Sequence, residues 1–91
     1  METKTITISK TPAGYGHYKL TVNVEDREAI THTTTRIDMI DRMRSDNANE
    51  RVSATIEAIE DTLDDNGIEY VNLTHHKHPH FGDRYEADFE E

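Results

Sequence analysis

Cysteine is absent from the 91 residues of this chain, and so is tryptophan. Without cysteine no disulfide can stabilise the fold, and this composition is typical of proteins in a reducing cytosol. Only 33% of the residues are hydrophobic, and a core of this size yields roughly 3–5 kcal/mol of net stability. A second copy of the chain is therefore a candidate partner, because a homodimer would bury further apolar surface.

Long apolar runs are also absent. No segment approaches the ~20 apolar residues that cross a bilayer. Residues 1–10 are polar and β-branched and lack the apolar block of a secretory signal. We therefore expect a cytoplasmic protein with no membrane partner. The sequence also lacks the nucleophile-elbow, phosphate-loop, dinucleotide-binding and zinc-protease motifs, which predicts a protein that is not an enzyme and needs no cofactor.

Positive charge is scarce, and the formal net charge is −9. Direct nucleic-acid binding needs a basic face that neutralises phosphates. A small arginine group could form such a face, and it consists of Arg36, Arg42, Arg44 and Arg51. Direct binding to nucleic acid is therefore disfavoured. Acidic residues dominate residues 47–73, where seven of them accompany one arginine.

The residues that are present predict an α+β fold. Residues 5–9 alternate apolar and hydroxyl side chains, and residues 18–25 alternate apolar and polar ones, which is the pattern of half-buried strands. Turn-forming residues at 11–16 and a polar reversal at 25–28 separate these strands from a β-branched segment at 29–34. The pattern predicts a three-stranded antiparallel meander.

Two helices are predicted after the meander. Thr35 is expected to cap a short helix that ends at residues 45–46. Asn47 is expected to cap the second, with Glu50 three residues later as in a capping box, and Asn66 and Gly67 to end it. The apolar stripe of this second helix consists of Val52, Ile56, Ile59 and Leu63.

Residues 68–73, apolar on both faces, predict a fourth strand in a central position. The predicted order is thus β-β-β-α-α-β, with both helices on one face of the sheet. Residues 1–74 form the predicted domain, and residues 75–91 form a flexible tail.

A run of histidines opens the predicted tail. Imidazole is a common ligand of zinc, copper and nickel, so a metal-binding protein is one alternative function, with the ligands His75, His76, His78 and His80. Structural zinc sites usually draw on separated ligand pairs, and no second cluster accompanies this run. We therefore expect no metal site.

The main candidate site is an acidic stripe on the second helix, whose members Glu57, Glu60, Asp61 and Asp64 follow at offsets of three, four and seven. The simpler interpretation is a solvated helix face, because like charges at this spacing repel one another. The functional hypothesis is an anionic surface that docks a basic protein partner. One version is an inhibitor that occupies its partner's nucleic-acid-binding site.

Three aromatic residues in the acidic tail form a second candidate for partner binding. Phe81, Tyr85 and Phe89 share one face if the segment is helical, and such a segment can fold onto a groove. The alternative is an arm that packs on its own sheet. A second alternative function is a small enzyme, because His32 lies near Asp38 and Asp41 in sequence and a His/Asp pair is the minimum for acid–base catalysis.

The stretches Tyr18-Lys19-Leu20-Thr21-Val22, His32-Thr33-Thr34-Thr35 and Ile40-Asp41-Arg42 give the chain a resemblance to a group of small proteins. These are uncharacterised proteins of bacterial accessory and mobile-element genomes, which have a β-meander followed by two helices. The resemblance covers about half of the chain. It implies a bacterial or phage origin in the cytoplasm, and it implies no activity and no functional residues.

Overall fold

The computed structural model describes residues 1–80 and 82–90. They form an α+β fold with a five-stranded antiparallel sheet in the order β3-β2-β1-β5-β4 and two helices on one of its faces. The elements are β1 (Glu2–Gly14), β2 (His17–Val24), β3 (Ile30–Thr34), α1 (Ile37–Met43), α2 (Ala48–Asp65), β4 (Val71–His78) and β5 (Gly82–Phe89).

The predicted meander is confirmed as β1, β2 and β3, each paired antiparallel with the next. Leu20, Val22 and Val24 are buried beneath the helices, as their alternation with polar residues indicates. β1 is longer than predicted, because its residues beyond Ser9 continue to pair with β2 up to the turn.

The caps of the two helices differ. Asn47 caps α2 as predicted, since its side chain accepts a hydrogen bond from the Glu50 backbone N–H at 3.1 Å. The Glu50 carboxylate instead accepts from the Ser45 hydroxyl. The predicted cap at Thr35 is wrong: α1 starts at Ile37, and Arg36 occupies the cap position without a side-chain hydrogen bond.

The core lies between the sheet and two sides of α2. Of the predicted stripe, Ile59 and Leu63 are fully buried, whereas Val52 and Ile56 are half-buried. A second buried side, formed by Ala54 and Ala58, packs with α1 and Leu20. Alanine adds little to an apolar stripe, so the sequence pattern did not reveal this second side.

The C-terminal prediction is wrong in its details. The fourth strand begins at Val71 rather than at residue 68 and lies at the edge of the sheet rather than in its centre. The segment predicted as a flexible tail contributes the end of β4 and all of β5, which is inserted between β4 and β1. β5 joins the core because its alternate residues Tyr85, Ala87 and Phe89 are buried.

Candidate functional site

The predicted acidic stripe of α2 is divided by α1. Arg36 forms ion pairs with Glu57 and, at 3.2 Å, with Asp61. Arg42 adds a second ion pair to Glu57 at 3.0 Å. These contacts hold the pKa of Glu57 below its usual value, first through Arg36 and then through Arg42. Half of the stripe is therefore neutralised within the protein.

The other members of the arginine group are engaged as well. Arg44 lies over the Tyr18 ring, 5.4 Å from its centroid. Arg51 donates to the Ser45 carbonyl oxygen at 3.0 Å and pairs with Asp83 at 3.5 Å. The sequence showed an acidic set and an arginine set as separate features. The fold brings parts of both together, because the short turn at residues 44–47 lays α1 beside α2.

Glu60 and Asp64, the remaining members of the stripe, are exposed. Neither forms an ion pair with a basic side chain in the part of the chain that the structure describes. Asp64 lies on the last turn of α2, at the wall of a groove of about 480 Å³. The predicted site thus retains its unpaired charge only towards the C-terminal end of the helix.

The groove combines an acidic rim with apolar walls. It lies between the loop that follows α2 and the end of β5, and no Lys, Arg or His side chain is among its lining residues. Its carboxylates are those of Asp64, Glu69, Asp88 and Glu90, and its apolar side chains are those of Met1, Ile68, Tyr70 and Val71. We call this feature the acidic groove.

Tyr70 links the groove to the core. Its ring packs partly buried against the cluster that contains Ile59 and Leu63. Burial raises the pKa of Tyr70 to about 12, and the nearby carboxylates of Asp64 and Glu60 contribute to the increase. The hydroxyl is therefore neutral at physiological pH, so Tyr70 adds no negative charge to the groove.

Asp88 is the most firmly positioned carboxylate of the groove. It accepts hydrogen bonds from the Asn72 side-chain amide at 2.9 Å and from the Thr3 hydroxyl. These two donors, Asn72 first, lower the pKa of Asp88, and the charge of the N-terminal amine adds to this effect. Sequence reasoning did not predict that Glu69 would lie near Asp88 and Glu90, because the two segments come together only through the pairing of β4 with β5, in which Val71 lies opposite Asp88.

The aromatic residues predicted to share a helical face lie in a strand. Tyr85 and Phe89 are buried in the core, which matches the alternative of an arm packed on its own sheet. Phe81 lies outside the described residues. The helical prediction arose because an offset of four residues fits a strand, with its period of two, as well as a helix.

The histidine run occupies the edge strand and the turn that follows it. His75 bonds to Asp83 at 2.8 Å, and His76 pairs with Glu86 at 3.4 Å. β4 ends at His78, so His80 does not continue the same row of side chains. Across residues 1–80 and 82–90, no three histidine or acidic side chains are placed to hold a metal ion.

His32 is half-buried on β3 and has a carboxylate partner. Its Nδ1 atom lies 3.0 Å from Asp65 at the end of α2. Asn66 also donates to the Thr31 carbonyl oxygen, so these contacts join the edge strand to the helix. His32 lines neither the acidic groove nor the other clefts described for the molecule.

No protein-family model matches the chain, and the comparisons with curated proteins and with solved structures give no match. No helix within the described residues combines the length and the apolar character that crossing a membrane requires. The physical character of the acidic groove is therefore the basis for a functional proposal.

Proposed function

We propose that this chain is a small, non-enzymatic protein-interaction module that docks the basic surface of a protein partner in the acidic groove. The observation that carries the proposal is the groove's lining, which consists of four carboxylates and four apolar side chains, with no lysine, arginine or histidine side chain. Lysine and arginine side chains have an aliphatic body and a cationic end, and such a side chain matches apolar walls beneath an acidic rim.

The energetics favour recognition by charge and orientation. The net charge of −9 attracts a basic partner over long distances. Rim carboxylates exposed to water contribute mainly to the association rate and to specificity, whereas the apolar walls and the Tyr70 ring supply buried contact area. Binding is therefore expected to weaken with salt, chiefly through slower association, as ions screen charges over ~8–10 Å.

The negative net charge best fits an inhibitor or accessory factor, whose acidic surface would occupy the nucleic-acid-binding site of a basic protein. The proposal shifts the predicted docking surface away from Glu57 and Asp61, which their arginines neutralise, towards Asp64 and the loop beyond it. A metal-binding protein has less support, because His75 and His76 each pair with a carboxylate of β5.

The test is affinity capture from the native cell with three baits, followed by mass spectrometry. The baits are the parent, a groove variant with Asp64→Asn, Glu69→Gln and Glu90→Gln, and a matched control with Glu28→Gln, Asp41→Asn and Asp46→Asn. All six residues are exposed, and both variants remove three negative charges. The proposal expects a basic protein that the parent and the control retain and the groove variant loses. A partner that all three baits retain equally, or an acidic partner, contradicts it.

A further inference from the structure

The central strand β1 loses one of its neighbours halfway along its length. Its pairing with β5 runs from Glu2↔Phe89 to Ile6↔Tyr85 and stops there. Its pairing with β2 continues to the turn at Gly14. β5 also continues beyond Tyr85, but its residues from Gly82 to Arg84 pair only with β4. The sheet therefore divides into two arms, and we call the space between them the fork.

The backbone of β1 presents unused hydrogen-bonding groups to the fork. The Thr5 carbonyl oxygen accepts from the Glu25 N–H at 3.0 Å, so the peptide groups of Thr5 face β2. Consecutive residues of a strand direct these groups to opposite sides. Ile8 and Lys10 therefore direct their N–H and C=O groups into the fork, and no described residue bonds to them there.

Pro12 supports this assignment. It belongs to the same alternate set as Ile8 and Lys10, so its nitrogen, which lacks a hydrogen, also faces the fork side. Proline is tolerated in a strand where its nitrogen needs no ladder partner. The residue that cannot donate thus occupies the side of β1 that has no neighbouring strand, and it limits the free edge to Ile8 and Lys10.

A cleft of about 280 Å³ lies beneath the fork. Its apolar lining consists of Ile6, Ile8, Met43 and Tyr85, which continue into the two core clusters. An added strand would direct the side chain opposite Ile8 to the helix-facing side of the sheet, as Ile8 itself does, and so into this cleft. An apolar side chain fits there.

The charge around the fork is opposite to that of the acidic groove. Lys10 lines the cleft, and Arg84 lies on the arm formed by β5. Neither forms an ion pair with a carboxylate in the described part of the molecule; Arg84 donates only to the Thr5 hydroxyl, at 3.3 Å. Asp83, the acidic residue of the cleft, is already paired with His75 and Arg51. The fork therefore favours an acidic ligand.

We propose that the fork is a strand-addition site for an extended acidic peptide of a partner protein. The bound segment pairs its backbone with Ile8 and Lys10 and inserts an apolar side chain into the cleft. It places one acidic side chain opposite Lys10 and a second beside Arg84. The sequence of the bound segment therefore contains two consecutive acidic residues, with a β-branched apolar residue directly after or before them. Backbone hydrogen bonds supply affinity in this mode, and alternate side chains supply specificity. This site is separate from the acidic groove and does not depend on it.

The probe is a capped peptide of sequence Thr-Glu-Glu-Val-Thr, followed by NMR and amide hydrogen exchange. In the free protein, the amides of Thr7 and Ser9 should be protected and those of Ile8 and Lys10 should exchange fast. Saturating peptide should slow exchange at Ile8 and Lys10 by roughly tenfold or more, the value of about one backbone hydrogen bond. A Thr-Lys-Lys-Val-Thr peptide and a backbone N-methylated Thr-Glu-Glu-Val-Thr peptide should bind more weakly.

Two variants separate backbone pairing from charge. Lys10→Pro removes the N–H and the charge, and it should abolish peptide binding while Thr7 and Ser9 stay protected. Lys10→Gln keeps the N–H and removes the charge, so its affinity for the peptide should be several-fold weaker than that of the parent at low salt. At high salt, where ions screen the charge of Lys10, this difference should disappear. Equal binding to the Lys10→Pro variant, or shifts confined to other regions, overturns the proposal. Protection of the Ile8 and Lys10 amides without peptide also overturns the proposal. If this protection depends on protein concentration, a second copy of the chain pairs with the edge; if it does not, the edge is closed within the monomer.

If Lys10→Pro does not fold, the parent with the N-methylated peptide decides. Binding equal to that of the unmodified peptide contradicts strand addition, because N-methylation replaces the backbone donors by methyl groups that also block the approach of a neighbouring strand.

Discussion

The two ends of β1 belong to one continuous strand and have different surroundings. Around residues 2–6 the strand pairs with β5, and β2 joins it at Ile6; this end lies next to an acidic groove whose carboxylates find no basic side chain. Around residues 7–14 it has β2 alone, next to a fork where Lys10 and Arg84 find no carboxylate. Strand identity is thus a local property, whereas the role of a strand as central or edge depends on its neighbours.

The largest expected difference concerns the core. Ile6 is 1% exposed, whereas Ile8 is half-buried above the fork. Ile6→Ala should cost about 2–4 kcal/mol in the free energy of unfolding, because it leaves a cavity in a core that cannot collapse around it. Ile8→Ala should cost clearly less, since water already reaches its side chain. Chemical denaturation measures both, and equal losses would mean that the fork is closed in solution.

The backbone gives a matched comparison between two lysines of the same strand. Lys4 directs its N–H to β5, where it pairs with Ala87, whereas Lys10 directs its own into the fork. Lys4→Pro should cost roughly 1–3 kcal/mol through a lost ladder hydrogen bond and local distortion. Lys10→Pro should change stability little. Lys4 also pairs with Glu2 and Asp26, so Lys4→Gln is the control that removes these ion pairs and keeps the N–H.

Acid should affect the contribution of Asp83 at the fork end more than that of Asp64 at the groove end. His75 first and then Arg51 lower the pKa of Asp83. A carboxyl with a lowered pKa stabilises the fold above its unfolded-state pKa, and this contribution is lost as the pH falls through its folded-state pKa. Asp83→Asn should therefore cost about 0.5–1 kcal/mol at neutral pH, a modest value for a partly exposed pair, and nothing in strong acid.

The matched change at the groove is Asp64→Asn. It removes an unpaired negative charge from an acidic cluster and should leave stability at neutral pH unchanged or slightly higher. Unfolding curves recorded across acidic pH compare the two variants. If Asp64→Asn lowered the free energy of unfolding as much as Asp83→Asn does, this would contradict the absence of a basic side chain in the groove.

The smallest expected effect is spectroscopic. Burial and the nearby carboxylates raise the pKa of Tyr70 to about 12, so Tyr70 should ionise at a higher pH than the exposed tyrosines. Asp64→Asn should move this step to lower pH, and Tyr70→Phe should remove it from the absorbance titration of tyrosinate. Asp83→Asn, a change at the fork end, should leave the Tyr70 step in place. A Tyr70 titration unaffected by Asp64→Asn would contradict the geometry of the groove.

The sequence by itself determined the local structure. The alternation of Leu20, Val22 and Val24 predicted the meander, and Asn47 predicted the start of the long helix. Both signals act between residues close in the chain: a strand face repeats every second residue, and a cap acts over one turn. The α+β class followed from the order of such signals.

Only the tertiary structure decided which charges and edges remain free. Arg36 neutralises Glu57 across a gap of 21 residues, so the acidic stripe looked continuous in sequence and is divided in space. Phe89 lies beside Glu2 through the pairing of β5 with β1, which converts a predicted tail into core. The pairing of β4 with β5, in which Val71 lies opposite Asp88, gathers the carboxylates of the groove. The end of that pairing at Tyr85 opens the fork. Contacts between distant residues carry no periodic signal in one chain, because their partners are chosen by the packing of the whole sheet.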